Sequence, residues 1–232
     1  MSSRLLLIPS LIALPVWPLS AQQGERPGES LLSDPSRLTL KNVTATRVQY
    51  RGRDAIRLVP RGDDASAHTI AIVGDLEFRD GTIEADVAGM PAAGADTSAR
   101  GFVGIAFRVD PSSDRYAAFY LRPTNGRASD QLRRNHAAQY ISEPEYPWHR
   151  LRREQPGVYE SYVDLEVGAW TPIRIEVQGG VARLFVNNSA QPVLIVNDMK
   201  SPPASGRIAL WIGVGTEAHF SRLRVTPAKS AP

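Results

Sequence analysis

Residues 122 to 153, RPTNGRASDQLRRNHAAQYISEPEYPWHRLRR, hold the side chains of this chain best able to do chemistry: seven arginines, two histidines, two tyrosines and a tryptophan. Imidazole titrates near neutral pH, so His136 and His149 are the candidates for general acid and base work. They stand thirteen residues apart, which matches no metal-ligand spacing, and no metal site is expected. A guanidinium fork can grip a carboxylate or two vicinal oxygens at once. Arg122, Arg133 and Arg134 offer that fork, and Asn135 adds a planar polar group. Tyr140 and Trp148 can stack against the apolar face of a ring. Together they suit a richly hydroxylated or anionic ligand. The plain alternatives are structural histidines, a solvated arginine face, and a tryptophan that only packs.

Two acidic pairs have the spacing of neighbours on one strand face, Glu84 and Asp86 in GTIEADVAG and Asp164 and Glu166 in YVDLEVG. Paired carboxylates are what glycoside hydrolysis needs, which makes Glu84 and Asp86 candidate substrate-binding groups. An outward, ion-paired strand face is the ordinary reading of both pairs. There is no GxSxG, HExxH, P-loop or GxGxxG leading into a helix, and the absence of cysteine removes thiol catalysis. The acids are too scattered for a calcium loop, so no cofactor is expected.

The elements that must position these groups read as strands. Runs of alternating or β-branched residues span 38–50, 54–60, 67–73, 81–88, 101–109, 115–122, 158–166, 170–178, 180–187, 192–197, 206–212 and 217–226. In GFVGIAFRV, Val103, Ile105, Phe107 and Val109 oppose Phe102, Gly104, Ala106 and Arg108; in RYAAFYLR, Ala117, Phe119 and Leu121 oppose Tyr116, Tyr120 and Arg122. One apolar and one polar face per strand is what a two-sheet antiparallel sandwich requires. Gly179-Gly180 and Asn187-Asn188 mark tight turns. Residues 122 to 153 show no clear period and read as one long loop, too aromatic to be disordered. Arg108, Tyr116, Tyr120 and Arg122 share polar faces that lead into it, extending the presumed binding surface.

Arg4 followed by an apolar run from Leu5 to Leu19 and then Ser20-Ala21 is the layout of a secretory leader, with cleavage expected near Ala21. The run is too short and too broken by Pro9, Pro15 and Pro18 to span a bilayer, so no membrane insertion is expected after cleavage. The expected organisation is a leader at 1–21, a flexible lead-in at 22–36, one all-β domain at 37–226 and a tail at 227–232. A formal charge of +3 is not a nucleic-acid-binding balance. A secreted or periplasmic location follows.

The order of landmarks resembles the concanavalin A-like lectin/glucanase superfamily of jelly rolls. FRDGTIEADV at 78–87, GFVGIAFRV at 101–109, DRYAAFYLRP at 114–123, WTPIRIEVQGGVARLFVNN at 170–188 and GRIALWIGVGTEAHFSRLRV at 206–225 carry the resemblance. Within that superfamily it is most similar to the 3-keto-disaccharide hydrolase domain group and to laminin G-like domains of secreted bacterial proteins. Ala88 departs from the laminarinase pattern, which has a third acid there. The resemblance implies saccharide recognition on the concave sheet and 3-keto-glycoside cleavage, with His136 or His149 abstracting a proton beside the keto group and arginines steadying the enolate. A non-catalytic glycan- or cell-surface-binding module, or an adhesive partner of another secreted protein, remain as alternatives.

Overall fold

The computed structural model describes residues 31–228 except 33, 63, 65–67 and 201–203. The expected leader at 1–21 lies outside the described residues. The described strands are β1 (Leu38–Lys41), β2 (Val43–Tyr50), β3 (Arg53–Pro60), β4 (Ile70–Val73), β5 (Gly81–Pro91), β6 (Val103–Val109), β7 (Tyr116–Leu121), β8 (Ala138–Glu143), β9 (Glu160–Ser161), β10 (Thr171–Gln178), β11 (Val181–Val186), β12 (Leu194–Val196), β13 (Arg207–Ile212) and β14 (Thr216–Pro227). They form two seven-stranded antiparallel sheets, ordered β1-β4-β13-β6-β7-β8-β9 and β12-β11-β10-β5-β14-β3-β2. Strands distant in sequence lie side by side, as β13 does between β4 and β6, so the chain crosses repeatedly between sheets in a jelly roll.

Strand alternation builds the layer between the sheets. Val103, Ile105 and Phe107 of β6, Ala117, Phe119 and Leu121 of β7, and Ile208, Leu210 and Ile212 of β13 share one cluster with Ile83, Ala85 and Val87 of β5 and Ile173, Ile175 and Val177 of β10. Removing this apolar area from water is the main force holding the sheets together. The turn between β10 and β11 is the expected two-residue hairpin, with Gln178 paired to Val181 and Gly179 at φ 56. Leu31 and Leu32 are buried in the same cluster, so the end of the expected flexible lead-in is packed.

The run read as a strand at 158–166 keeps only the two-residue β9, and two expectations that bear on the site fail locally. At the β6–β13 pairing the register shifts between Arg207 and Ala209, and Arg108 sits at φ 55. This bulge breaks the alternation: Val109 joins the outer apolar cluster, while Arg108 turns away and donates to Arg79 O, Asp80 Oδ1 and Gly179 O at 2.9, 2.9 and 2.8 Å. The other concerns residues 122 to 153, which are not one loop but contain α1 (Pro123–Gly126), α2 (Gln131–Asn135), β8 and α3 (Trp148–Glu154). Each helix is only a turn or two, too short for an apolar period to show in the sequence.

The outer face of the first sheet is itself apolar. Ile70, Ile72, Ala106, Ala118, Ile141 and Ala209 form a second buried cluster there with Tyr116 and Tyr120, and Phe102 and Trp211 pack against it. β6 and β7 are therefore buried on both faces. The coverings of that outer face make the site.

Candidate functional site

A groove of about 1260 Å³ runs over the outer face of the first sheet. Its floor is built from β7, β8 and β13 with Phe102 just ahead of β6, and its walls come from 92–100, 213–215, the His68-Thr69 segment, the end of α2 and the start of α3. Trp211 stacks on Tyr120 with ring centroids 4.5 Å apart, and Phe102 meets Tyr120 edge-on at 6.1 Å. The Trp211 indole donates to the Tyr116 hydroxyl at 3.2 Å, and that hydroxyl lies 2.9 Å from His68 Nδ1. Tyr116 and Tyr120 reach the groove but are only 3% and 2% exposed, so the accessible ring surface belongs to Trp211, Phe102 and Trp148.

Local sequence explains the walls. Asp130 caps α2 by accepting from the Arg133 amide at 2.7 Å, and the helix ends at His136, whose amide donates to Arg133 O at 3.1 Å. Pro147 in extended conformation precedes α3, Leu151 anchors that helix inward, and Arg150 pairs with Glu154 across one turn at 2.8 Å. Trp148 and His149 in the first turn then border the groove, with Trp148 lying 4.8 Å below the Arg152 guanidinium.

At one end the polar groups interlock. His136 Nε2 lies 3.2 Å from Oε1 of Glu160, whose buried carboxylate also accepts from Arg152 at 2.6, 2.9 and 3.1 Å. Burial holds the His136 imidazole below its usual range, against the pull of Glu160, so the ring is neutral at pH 7. A neutral ring donating its Nε2 proton to Glu160 carries its free lone pair on Nδ1. Beside it, Arg122 donates to His136 O at 2.9 Å, the Tyr120 hydroxyl at 2.7 Å and Gln139 Oε1 at 3.1 Å. Burial pushes the Tyr120 hydroxyl up to about 12, so it stays protonated. On the β8 side, burial and then Glu145 hold the Glu143 carboxyl above the usual carboxylate range. Burial likewise lowers His68.

Of the residues singled out in the sequence, Tyr116, Tyr120, Arg122, Arg133, His136, Trp148 and His149 meet around this groove. The others do not. Arg108 is held by the bulge described above. Tyr140 faces the core between the sheets because it pairs with inward-facing Phe119, so Gln139 and Ile141 take the outer side. Arg134 turns away to the Tyr162 hydroxyl at 2.7 Å, and exposed Asn135 accepts from Gln131 at 2.8 Å. Glu84 and Asp86 lie on the outer face of the second sheet, in a smaller depression with Arg174, Arg222 and Arg224; Asp86 pairs with Arg53 at 2.5 Å. Asp164 and Glu166 are both paired with Arg127, at 2.9 and 3.2 Å.

The groove also contains residues that the strand reading passed over: Trp211, Phe102, Arg100, Arg152 and Glu143. Trp211 was legible, since Ile208, Leu210 and Ile212 facing inward leave it outward. Glu160 carried no signal, because only β8–β9 pairing brings it beside α2. Among the described residues no group of three or more His, Asp or Glu side chains could hold a metal ion.

No family model matches the chain, and no curated protein matches it. Solved structures do. The carbohydrate-binding module CBM66 from Bacillus subtilis is 14% identical over 81% of this chain and 93% of its own, with a TM-score of 0.55. A provisionally described glycosyl hydrolase from Parabacteroides distasonis is 11% identical over 86% and 98%, with a TM-score of 0.52. A Bacillus subtilis protein of unknown function with a galectin-like fold is 12% identical over 83% and 90%, with a TM-score of 0.50. At such identities the likeness is one of fold, and the described chain shares with these structures a two-sheet antiparallel jelly roll.

Proposed function

We propose that the groove over the first sheet is a saccharide-recognition site of an exported protein. One observation carries this reading: accessible rings of Trp148, Trp211 and Phe102 border a single groove whose polar lining is rich in guanidinium and imidazole. Sugar rings stack their apolar faces on aromatics, while planar donors take the hydroxyls. A fold neighbour described as a carbohydrate-binding module adds support by analogy. Export rests on the apolar leader, and an intact mass for the mature protein beginning at Gln22 is the expected result. For the site, a glycan panel read by calorimetry identifies binders. Trp148→Ala and Trp211→Ala then each weaken binding about tenfold, the loss of one good ring contact. Affinity unchanged in both variants, with the fold intact, refutes the reading.

A second reading adds turnover of 3-keto-glycosides. It is favoured by the Glu160–His136 contact, which orients the imidazole and leaves a basic nitrogen. The base removes the proton beside the keto group while neighbouring arginines steady the enolate oxygen; the enolate then collapses to an enone as the glycosidic oxygen leaves and takes the proton back from the imidazolium, and water adds across the enone to restore the keto sugar. His136→Ala then loses turnover while binding persists. Because burial lowers the His136 pKa, the rate is already at its plateau at neutral pH and falls only on acidification below the usual imidazole range. A rate that still rises above pH 8 points to another base.

A further inference from the structure

We propose that this groove selects acidic saccharides, with its arginine-rich end holding the carboxylate or sulfate of a bound sugar. The inference rests on the saccharide reading above and specifies its ligand class. Arg100, Arg122, Arg133 and Arg152 all line the groove. Arg152 is matched by Glu160. No described carboxylate forms an ion pair with the other three. Arg122 is the telling case, since it is 4% exposed yet hydrogen-bonds only to neutral acceptors: a backbone carbonyl, a phenol and an amide. A buried charge left without a counter-ion is costly, and a bound anion would remove that cost.

The cluster is compact enough to act on one group. Arg122 feels the like charges of Arg152 and Arg100, and Arg100 feels Arg133; burial and that repulsion hold Arg100 below the usual guanidinium range. Arg100 spends one nitrogen on the carbonyls of Thr97 and Ala99, and the exposed Arg133 side chain makes no hydrogen bond or ion pair among the described residues. The nearby acids offset this only in part: Asp96 attracts Arg100 and Glu160 attracts Arg122 without forming an ion pair with either, while Asp96 accepts from the Ser98 amide and Glu160 is paired with Arg152. Forked guanidiniums match planar carboxylates and sulfate oxygens, while Trp148, 6.0 Å from the Arg122 guanidinium, supplies the stacking surface beside them.

A panel of neutral, uronate and sulfated oligosaccharides matched in length and backbone tests this by calorimetry on the mature chain. The acidic members are expected to bind at least about tenfold tighter than their neutral counterparts, a preference that shrinks as salt is raised. The double variant R100Q/R133Q, made at exposed or partly exposed positions, should bring the acidic members to within about threefold of the neutral ones. Uronates ahead of sulfates would identify the carboxylate as the recognised group, and the reverse order the sulfate; either supports the proposal. Neutral members binding as tightly as acidic ones, or a preference that survives R100Q/R133Q, overturns it and leaves saccharide recognition standing. No binding by any member to folded protein removes both.

Discussion

Arg108 and Arg122 were alike in the sequence, each an arginine on the polar face of a neighbouring strand, yet their partners give them different work. Arg108 ties the β6 bulge to Asp80 and to the β10–β11 turn, outside the groove lining. Arg108→Ala should cost about 2 kcal/mol, the scale of a charge-assisted hydrogen bond lost from a buried site, and leave glycan binding unchanged. Urea unfolding and calorimetry on the same variant check both halves. His219 makes a separate residue-scale prediction. Its ring is buried and stacked on Tyr50 at 3.6 Å, near Glu217 and Arg57, and burial lowers its pKa to about 4. The unfolded chain therefore takes up a proton between the ordinary imidazole range and pH 4 that the folded chain refuses. Stability is complete above about pH 6.5 and falls as the pH drops toward 4. His68 and His136 push the same way, so His219→Gln should shrink, not abolish, the drop in urea midpoint between pH 7 and pH 5.

Among the elements, β6 and β7 are the pair on which the groove depends. Their close approach needs Gly104, where an added Cβ would meet the Phe119 carbonyl and stand 2.6 Å from Tyr120 Cα. Gly104→Ala must force the two strands apart or tilt Tyr120 and the Trp211 stacked on it. A loss of about 1 to 3 kcal/mol is expected, typical of overpacking in a core. Ligand affinity should fall with it, and an unshifted urea midpoint contradicts the account. Strand faces were readable here because alternation survives along most of β6, β7 and β13. The bulge at Arg108 was not readable, since it is set by how β13 pairs across the sheet. Among the short helices, α2 carried one cap, Asp130, and α3 one buried leucine, Leu151, too little for a periodic signal.

For the whole molecule, stability comes from the layer between the sheets, and Leu31 and Leu32 belong to it. A chain begun at residue 37 should be less stable than one begun at Gln22 by about 2 to 4 kcal/mol, on the usual value of buried leucine side chains. Equal midpoints for the two chains would show that these leucines add nothing. The sequence by itself determined the all-β class, the inward faces of the main strands, the hairpin at Gly179 and the concentration of arginine, histidine and aromatic residues between 122 and 153. Those properties are local: they depend on side-chain alternation, turn chemistry and composition within a few residues. Tertiary structure decided which of those residues share a site. Strand crossovers carried Trp211 from β13 and Arg100 from the 92–100 wall to the groove, and β9 pairing brought Glu160 to His136, while register turned Tyr140 inward and sent Glu84 and Asp86 to the other sheet. The physical reason is that a site on a jelly roll is made by pairing between distant strands, and pairing is settled by burial of the whole layer, which no single segment contains.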